Sequence, residues 1–379
     1  MNWSNDYYNS NFSLPFMDLN GSYFISEFED TLFEYHKPEK IALLCIYIPV
    51  FFLALIGNTL VLVMVCINKR FRRNIANFFL VNLAIADLLV TLFCIPLTTA
   101  QHVYSPWIYG EFLCKAIGFM QGMYVEASVL TIVCMSVERY LAIRHPMRMR
   151  TLCDPRRVKQ VILLTWVVAI ITMCPLAMYK KLEKHNLPFI EVSYCVEDWP
   201  SQRAKYGYEL FLFFIVYIIP GFLVVGLYTV IGCSLWKQDN TLQRANSMVN
   251  NEARIMGGRR KLARMMIVIS ILFAVCWLPY FIINLCILFS LDRSIPMSLY
   301  PYALLLAFSH SAQNPLLYFF MHRGFHDFVW RLIRCQCQQL RNSRQVSVCS
   351  YQSSEKTMMT AISNGNKYSY RGTARGKHV

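Results

Sequence analysis

The sequence predicts an all-α membrane protein: a seven-transmembrane helix bundle with a short amphipathic membrane-surface helix after the seventh span. Three observations carry that expectation. Apolar stretches at about 41–67, 76–100, 113–138, 159–178, 208–235, 263–290 and 298–321 are each long enough to cross a hydrocarbon core of ~30 Å as a helix. The composition is 56% hydrophobic and only 16% charged, with a mean hydropathy of +0.36; soluble domains carry about a quarter charged residues. Finally, the net charge of +15 is sorted by side rather than spread evenly.

That sorting sets the topology. The first connection holds Lys69, Arg70, Arg72 and Arg73. The third adds Arg144, Arg148, Arg150, Arg156, Arg157 and Lys159, and the fifth Arg254, Arg259, Arg260, Lys261 and Arg264. The second connection, 102–113, has neither lysine nor arginine. Basic loops stay cytoplasmic, so the N-terminus is expected outside and the C-terminus inside. Because the basic residues lie between spans and form no single patch or arm, nucleic acid is not an expected partner.

Residues 1–40 read as an extracellular, glycosylated tail. Asn2, Asn11 and Asn20 each begin an Asn-X-Ser acceptor sequence, and all three precede the first span. The opening residues lack the apolar run of a cleavable leader, so the first span is expected to direct insertion itself. Asp6, Asp18, Glu27, Glu29, Asp30, Glu34 and Glu39 outnumber Lys37 and Lys40 there. With Glu191, Glu197 and Asp198 they predict an acidic mouth that steers a cationic ligand, diluted by Lys180, Lys181 and Lys184.

Residues 41–321 form the predicted bundle. Each polar group inside it is costly in lipid unless paired, and so calls for an account. Asn58, Asp87, Ser128, Ser311 and Asn314 fall at comparable depths in different spans. Oxygen donors around a carboxylate suit a small cation, and Asp87, Ser128, Ser311 and Asn314 are the candidate sodium ligands; the other reading is a polar network holding no ion. No other cofactor is expected. Span three runs from Cys114 to Glu138-Arg139-Tyr140, and the 25 residues between Cys114 and Arg139 rise about 38 Å, enough to put them at opposite membrane faces. The Glu138–Arg139 pair is a candidate switch, although a snorkelling arginine at a helix end is common. In span six, Phe273 precedes Cys276-Trp277-Leu278-Pro279, where a proline bend can couple Trp277 to helix swing. Span seven carries a second proline, Pro315, with Tyr318 one turn on. Glu126 lies mid-span with no assigned role: it either meets a ligand cation or is neutral between helices.

Eight of the fourteen cysteines lie inside apolar spans, where cysteine acts as a small hydrophobe, and no zinc spacing occurs. Cys114 and Cys195 sit at the edges on the predicted outer side and allow one bridge. Residues 322–337 alternate Phe325, Phe328, Val329, Leu332 and Ile333 with Arg323, Arg331 and Arg334, the pattern of a helix lying on the inner leaflet. Cys335 and Cys337 follow as palmitoylation candidates. Residues 338–379 are basic, Ser/Thr-rich and read as a disordered cytoplasmic tail with phosphorylatable sites.

Seven motifs, one per span, resemble the rhodopsin-like (class A) family of G-protein-coupled receptors. They are Gly57-Asn58, Leu83-Ala84-Ile85-Ala86-Asp87, Glu138-Arg139-Tyr140, Trp166, Pro220 with Tyr228, Cys276-Trp277-Leu278-Pro279 and Asn314-Pro315-Leu316-Leu317-Tyr318. The match covers about residues 41–334 in order, with Glu138 in place of the commoner aspartate as a mild departure. The resemblance implies a Cys114–Cys195 disulfide, a sodium site at Asp87 acting allosterically, and an Arg139 that meets a heterotrimeric G protein when span six moves outward. It further implies arrestin and receptor kinases at the tail, membrane lipid as surroundings and a plasma-membrane location.

Within that family, Cys114-Lys115, Gln121-Gly122, Ala127-Ser128-Val129 and Cys195-Val196-Glu197-Asp198-Trp199 resemble receptors of the neuropeptide FF, RFamide and orexin kind. Gln121 stands where amine receptors of the family hold an aspartate, which argues against an amine ligand. Asn284 is similar to a peptide-contact position of cholecystokinin and orexin receptors. The implied function is a receptor for an extracellular, amidated, RFamide-like neuropeptide, with Gln121, Tyr280, Asn284, Glu197 and Asp198 at the ligand. Two other readings are an orphan or constitutively active receptor with a non-peptide ligand and, remotely, a transporter or channel. The transporter reading lacks broken half-helices and a charged through-path, and an enzyme reading lacks a catalytic set.

Overall fold

The computed structural model describes residues 37–68, 71, 76–104, 106–145, 147–149, 154–186, 191–242, 250–289 and 294–334. Asn2, Asn11, Asn20, Cys335, Cys337, the tail 338–379 and the acids before residue 37 lie outside the described residues.

Span one is Pro38–Ile67, opened by a proline in its first turn. Span two runs Ala76–Leu89, then one wide π-type turn Val90–Cys94, then Ile95–Val103. Span three is Gly110–Arg144 and span four Pro155–Met178, the latter capped by the Asp154 carboxylate accepting from Arg156 N at 3.2 Å. Span five runs Gln202–Leu212, a second wide turn Phe213–Ile218, and Ile219–Leu242. Span six is Asn250–Leu288 and span seven Ser294–Met321. Both wide turns stand just before a proline, Pro96 and Pro220. A proline ring has no N–H to offer the carbonyl four residues back, so the helix lets the preceding N–H reach one residue further. Ile95 N–H bonds Val90 O, and Ile219 N–H bonds Phe214 O. The extra residue turns the outer end of each span relative to the inner end.

Among the described residues, six helices are long and apolar enough to cross a membrane: Pro38–Ile67, Asn77–Val103, Gly110–Arg144, Pro155–Met178, Gln202–Ser234 and Lys261–Leu288. Span seven is also long, at 28 residues, but more polar. Its polarity faces inward: His310, Ser311 and Asn314 are buried, and the helix packs between spans six and one. The approach to span one is close. A Cβ on Gly57 would stand 2.6 Å from Cβ of Pro315, so a side chain there would force these two helices apart. Spans two, three and four are tied by polar bonds buried between them. Trp166 donates to Asn82 Oδ1 at 2.9 Å, and Asn82 donates to Thr131 Oγ1 at 2.7 Å.

The helical bundle carries one further element, an antiparallel hairpin between spans four and five, β1 Lys180–Asn186 with β2 Glu191–Glu197, in the register Lys180↔Glu197 to Asn186↔Glu191. The amphipathic helix forms over Arg323–Ile333, but its apolar face is not given mainly to the leaflet. Phe325 and Phe328 are buried against the bundle, with Val329 and Leu332 packed behind them; Trp330 and Ile333 are the exposed apolar residues. Tyr318 supplies part of that seat, with its ring 6.4 Å from Phe325.

Candidate functional site

The outer end is built on one covalent link. Cys114, near the start of span three, is disulfide-bonded to Cys195 on β2, with the Cα atoms 5.5 Å apart. Trp107 reinforces it: buried beside Cys114, it donates its backbone N–H to Ser193 O at 2.7 Å and its indole N–H to Gly110 O at 2.8 Å. The hairpin is thereby fastened across the mouth of the bundle.

Its charges are largely settled internally, which revises the steering argument. Lys181 pairs with Asp198 at 2.9 Å, Lys184 with Glu191 at 2.6 Å, and Lys205 with Glu197 at 2.9 Å. Each of the three acids counted near Cys195 thus has its own lysine, while the acids before residue 37 lie outside the described residues. Burial disfavours a charged Glu197, but Lys205 and Lys180 outweigh it, with hydrogen bonds from Lys205 and Trp199 adding to the effect. The carboxyl is held below its usual range. Glu197 and Asp198 are therefore structural partners in this state, with a lysine on one oxygen of each carboxylate.

Below the hairpin lies an aromatic floor. Tyr280 stands 5.8 Å from Tyr300 and 5.5 Å from Trp277, ring to ring, and within hydrogen-bond reach of Tyr300 and Asn284. Phe281, Phe213 and Tyr217 close the side toward span five, with centroids 4.9–6.0 Å apart. The second wide turn matters here, because Phe213 and Tyr217 both belong to it. Gln121 is half-buried on span three. Sequence reasoning missed Tyr300; its only signal was a tyrosine near the outer end of a span.

Deeper, Trp277 stacks on Phe273 at 5.9 Å, and Phe273 meets His310 edge-on at 5.0 Å. His310 then leads to the polar centre. Its Nε2 is 3.2 Å from Asn314 Nδ2, which donates to Asp87 Oδ2 at 2.8 Å; Ser311 donates to Asp87 Oδ1 at 3.0 Å. Asn58 donates to the backbone of Ser311 at 2.9 Å, bringing span one into the network. His310 was also missed. The signal was present: it precedes Asn314 by four residues and so shares its face.

The fit to a sodium ion is partial. Asp87, Ser128 and Ser311 line one cavity and are hard oxygen donors, as such a cation requires. Asn314 differs from its assignment as a ligand, because it turns its amide nitrogen toward Asp87. Ser128 donates to Tyr124 O at 3.0 Å and still has lone pairs to offer. The cavity is contracted, with no room left for a water between its walls.

At the inner end, Arg139 Nη2 and Glu138 Oε2 pair at 2.5 Å, both side chains nearly inaccessible. The Tyr228 hydroxyl lies 3.2 Å from Ser136 Oγ, and Tyr140 OH lies 3.4 Å from His145 Nε2. Several buried polar atoms in this axis have no hydrogen-bond partner among the described residues: Arg139 Nε, Glu138 Oε1, Tyr318 OH and Trp277 Nε1.

Residues 57–318 match the sequence family described as the 7 transmembrane receptor (rhodopsin family). The chain belongs to that family. It is a multi-pass membrane receptor and not an enzyme. Among curated relatives, a QRFP-like peptide receptor of Branchiostoma floridae is 33% identical over 306 residues, covering 79% of this chain and 80% of the relative. Neuropeptide FF receptor 2 of Rattus norvegicus is 31% identical over 308 residues, 77% of this chain and 72% of the relative. The RYamide receptor of Tribolium castaneum is 31% identical over 314 residues, 80% and 83% of the two chains. In this rhodopsin-family receptor, Tyr280, Trp277, Phe273, His310, Asn314 and Asp87 form a continuous run of contacts along the bundle.

Proposed function

We propose that this receptor binds an extracellular, amidated, cationic peptide in the space under the hairpin and activates heterotrimeric G proteins. The observation that carries the reading is the aromatic floor of Tyr280, Tyr300, Trp277 and Phe281 under a disulfide-fastened hairpin, with Asn284 in hydrogen-bond reach of Tyr280, and we assign Gln121 of span three to it as a second amide. Amides and phenols both donate and accept, which suits a peptide carboxamide. The names of the relatives favour this class, since QRFP-like peptide, neuropeptide FF and RYamide receptors are all peptide receptors. Binding shifts the population toward the state in which Trp277 and the unsatisfied inner polar groups repack.

The test is expression in cells that report G-protein activation, challenged with amidated Arg-Phe and Arg-Tyr peptides. Gln121→Ala is expected to lower potency about tenfold, the value of one charge-free but well-placed hydrogen bond plus its desolvated partner, at unchanged surface expression. Unchanged potency removes Gln121 from the ligand site. High basal signalling indifferent to every peptide would support a constitutive receptor instead.

The reading extends to surroundings and regulation. The receptor sits in the plasma membrane with its N-terminus outside, and arrestin and receptor kinases act at the tail. Sodium held by Asp87, Ser128 and Ser311 would need this cavity to widen and would tie spans two, three and seven together around it, an arrangement distinct from the repacked state that peptide selects. Raising sodium at constant ionic strength is expected to weaken peptide binding several-fold, and Asp87→Asn to remove that sensitivity. Equal sodium sensitivity in both proteins would refute the site.

A further inference from the structure

Glu126 is a buried acid without a counter-charge. It is 1% exposed, and neither carboxyl oxygen has a hydrogen-bond partner among the described residues. The neutral Thr172 hydroxyl of span four faces it and also lies 2.8 Å from Val168 O, so it brings no counter-charge. Tyr208, on span five just before the wide turn, is in electrostatic range of three acids, Glu126, Glu209 and Glu197. Lys180 and Lys205 act on Glu197 and Glu209. No lysine, arginine or histidine among the described residues pairs with Glu126. Of three acids around one tyrosine, the deepest is the one left over.

A path leads to it. Gly118, Gly122 and Glu126 recur every four residues and so form a column on one face of span three. The glycines leave a groove, and each is overlaid only by the end of a flexible side chain. Lys180 Cε and Nζ lie 3.1 Å from where a Cβ of Gly118 would be, and Met173 Sδ lies 2.5 Å from that of Gly122. An alkylammonium already occupies the top of the groove. Gly122 is one helical turn, about 6 Å, above Glu126, the reach of one extended arginine or lysine side chain. Gly118 is turned about 60° from Gln121, Gly122 about 100° and Glu126 about 140°, so the groove starts beside the Gln121 face and ends as a side lobe toward spans four and five.

We propose that this glycine-walled groove is a specificity subsite that takes one long cationic side chain of the ligand, its guanidinium or ammonium meeting Glu126. Met173 is the gate, because an unbranched thioether swings aside at low cost. Lys180 is the resident competitor at the entrance. The inference rests on the peptide-receptor reading above, and it adds a residue that selects which peptide.

The test is a double-mutant cycle in which one partner is the ligand. Wild type and Glu126→Gln, matched for surface expression, are compared with an Arg-Phe-amide peptide and with the same peptide carrying citrulline, which is neutral and nearly isosteric with arginine. On wild type, citrulline is expected to lower potency by at least about tenfold, as for a desolvated charge pair. On Glu126→Gln the two peptides should converge, with the arginine peptide losing most of the difference. The peptide-side change cannot misfold the receptor, so the wild-type arm stands even if the variant expresses poorly. A citrulline penalty that is the same on both receptors, or a wild type indifferent to citrulline, overturns the subsite while leaving a peptide receptor in place. A wild type silent to every amidated peptide overturns both.

Discussion

Glu138→Gln is expected to raise ligand-independent G-protein activation five- to thirtyfold, and Arg139→Ala to abolish activation while peptide binding persists. The pair is adjacent in sequence, 2.5 Å apart and almost wholly removed from solvent, with side chains 7% and 4% accessible. Glutamine keeps the shape and loses the charge. Removing about 1–2 kcal/mol from the closed state changes its population by that factor. Arg139→Ala breaks the same pair, leaving Glu138 buried and uncompensated at a cost of about 3–5 kcal/mol, but it also deletes the group proposed to meet the G protein, so an opened state would not signal. Basal and peptide-stimulated nucleotide exchange, with radioligand or fluorescent-peptide binding on the same membranes, separates the two effects. Unchanged basal exchange in Glu138→Gln would remove this ion pair from the switch.

Cys195→Ser is expected to abolish peptide binding at ordinary concentrations without unfolding the bundle. The bridge closes a segment 81 residues long, and chain entropy assigns about 4–5 kcal/mol to a loop of that length. That is an upper value, because spans three and four remain inserted in lipid when the bond is cut. The hairpin loses its only covalent hold on the outer end of span three, and with it the register that sets Glu197 beside Lys205 and Trp199. Circular dichroism should be little changed while peptide affinity falls by at least about a hundredfold. Retained affinity in Cys195→Ser, or in Cys114→Ser, would show that the Trp107 and Asp198 backbone bonds hold the hairpin alone.

Legibility in the sequence followed the range of the forces involved. Lipid demands that each span satisfy its own backbone, so helix type and length are local and were readable from single stretches such as 41–67. The hairpin was not, because β1 is Lys-Lys-Leu-Glu-Lys-His-Asn, with no strict alternation, and its stability comes from a partner strand and a disulfide. The apolar stripe at Phe325 and Phe328 was visible, but which surface it covers depended on the seat made by Tyr318 and its neighbours. Acids in the second outer loop were visible as well. Their lysine partners were not, since pairing at 2.6–2.9 Å depends on strand register and on Lys205 of span five.

Span three shows the division within one element. By itself the sequence determined that residues from Cys114 to Arg139 cross a membrane, that the ends lie on opposite faces, and that Glu126 sits between them at the spacing of Gly118 and Gly122. Helical periodicity and the bilayer's thickness are enough for that, and neither needs a neighbour. Only the tertiary structure decided that the glycine column lies under Lys180 and Met173, and that Glu126 faces the neutral Thr172 of span four with no cation beside it among the described residues. Those are relations between distant segments in a low-dielectric interior, where a charge is defined by whether something else arrives to pair with it.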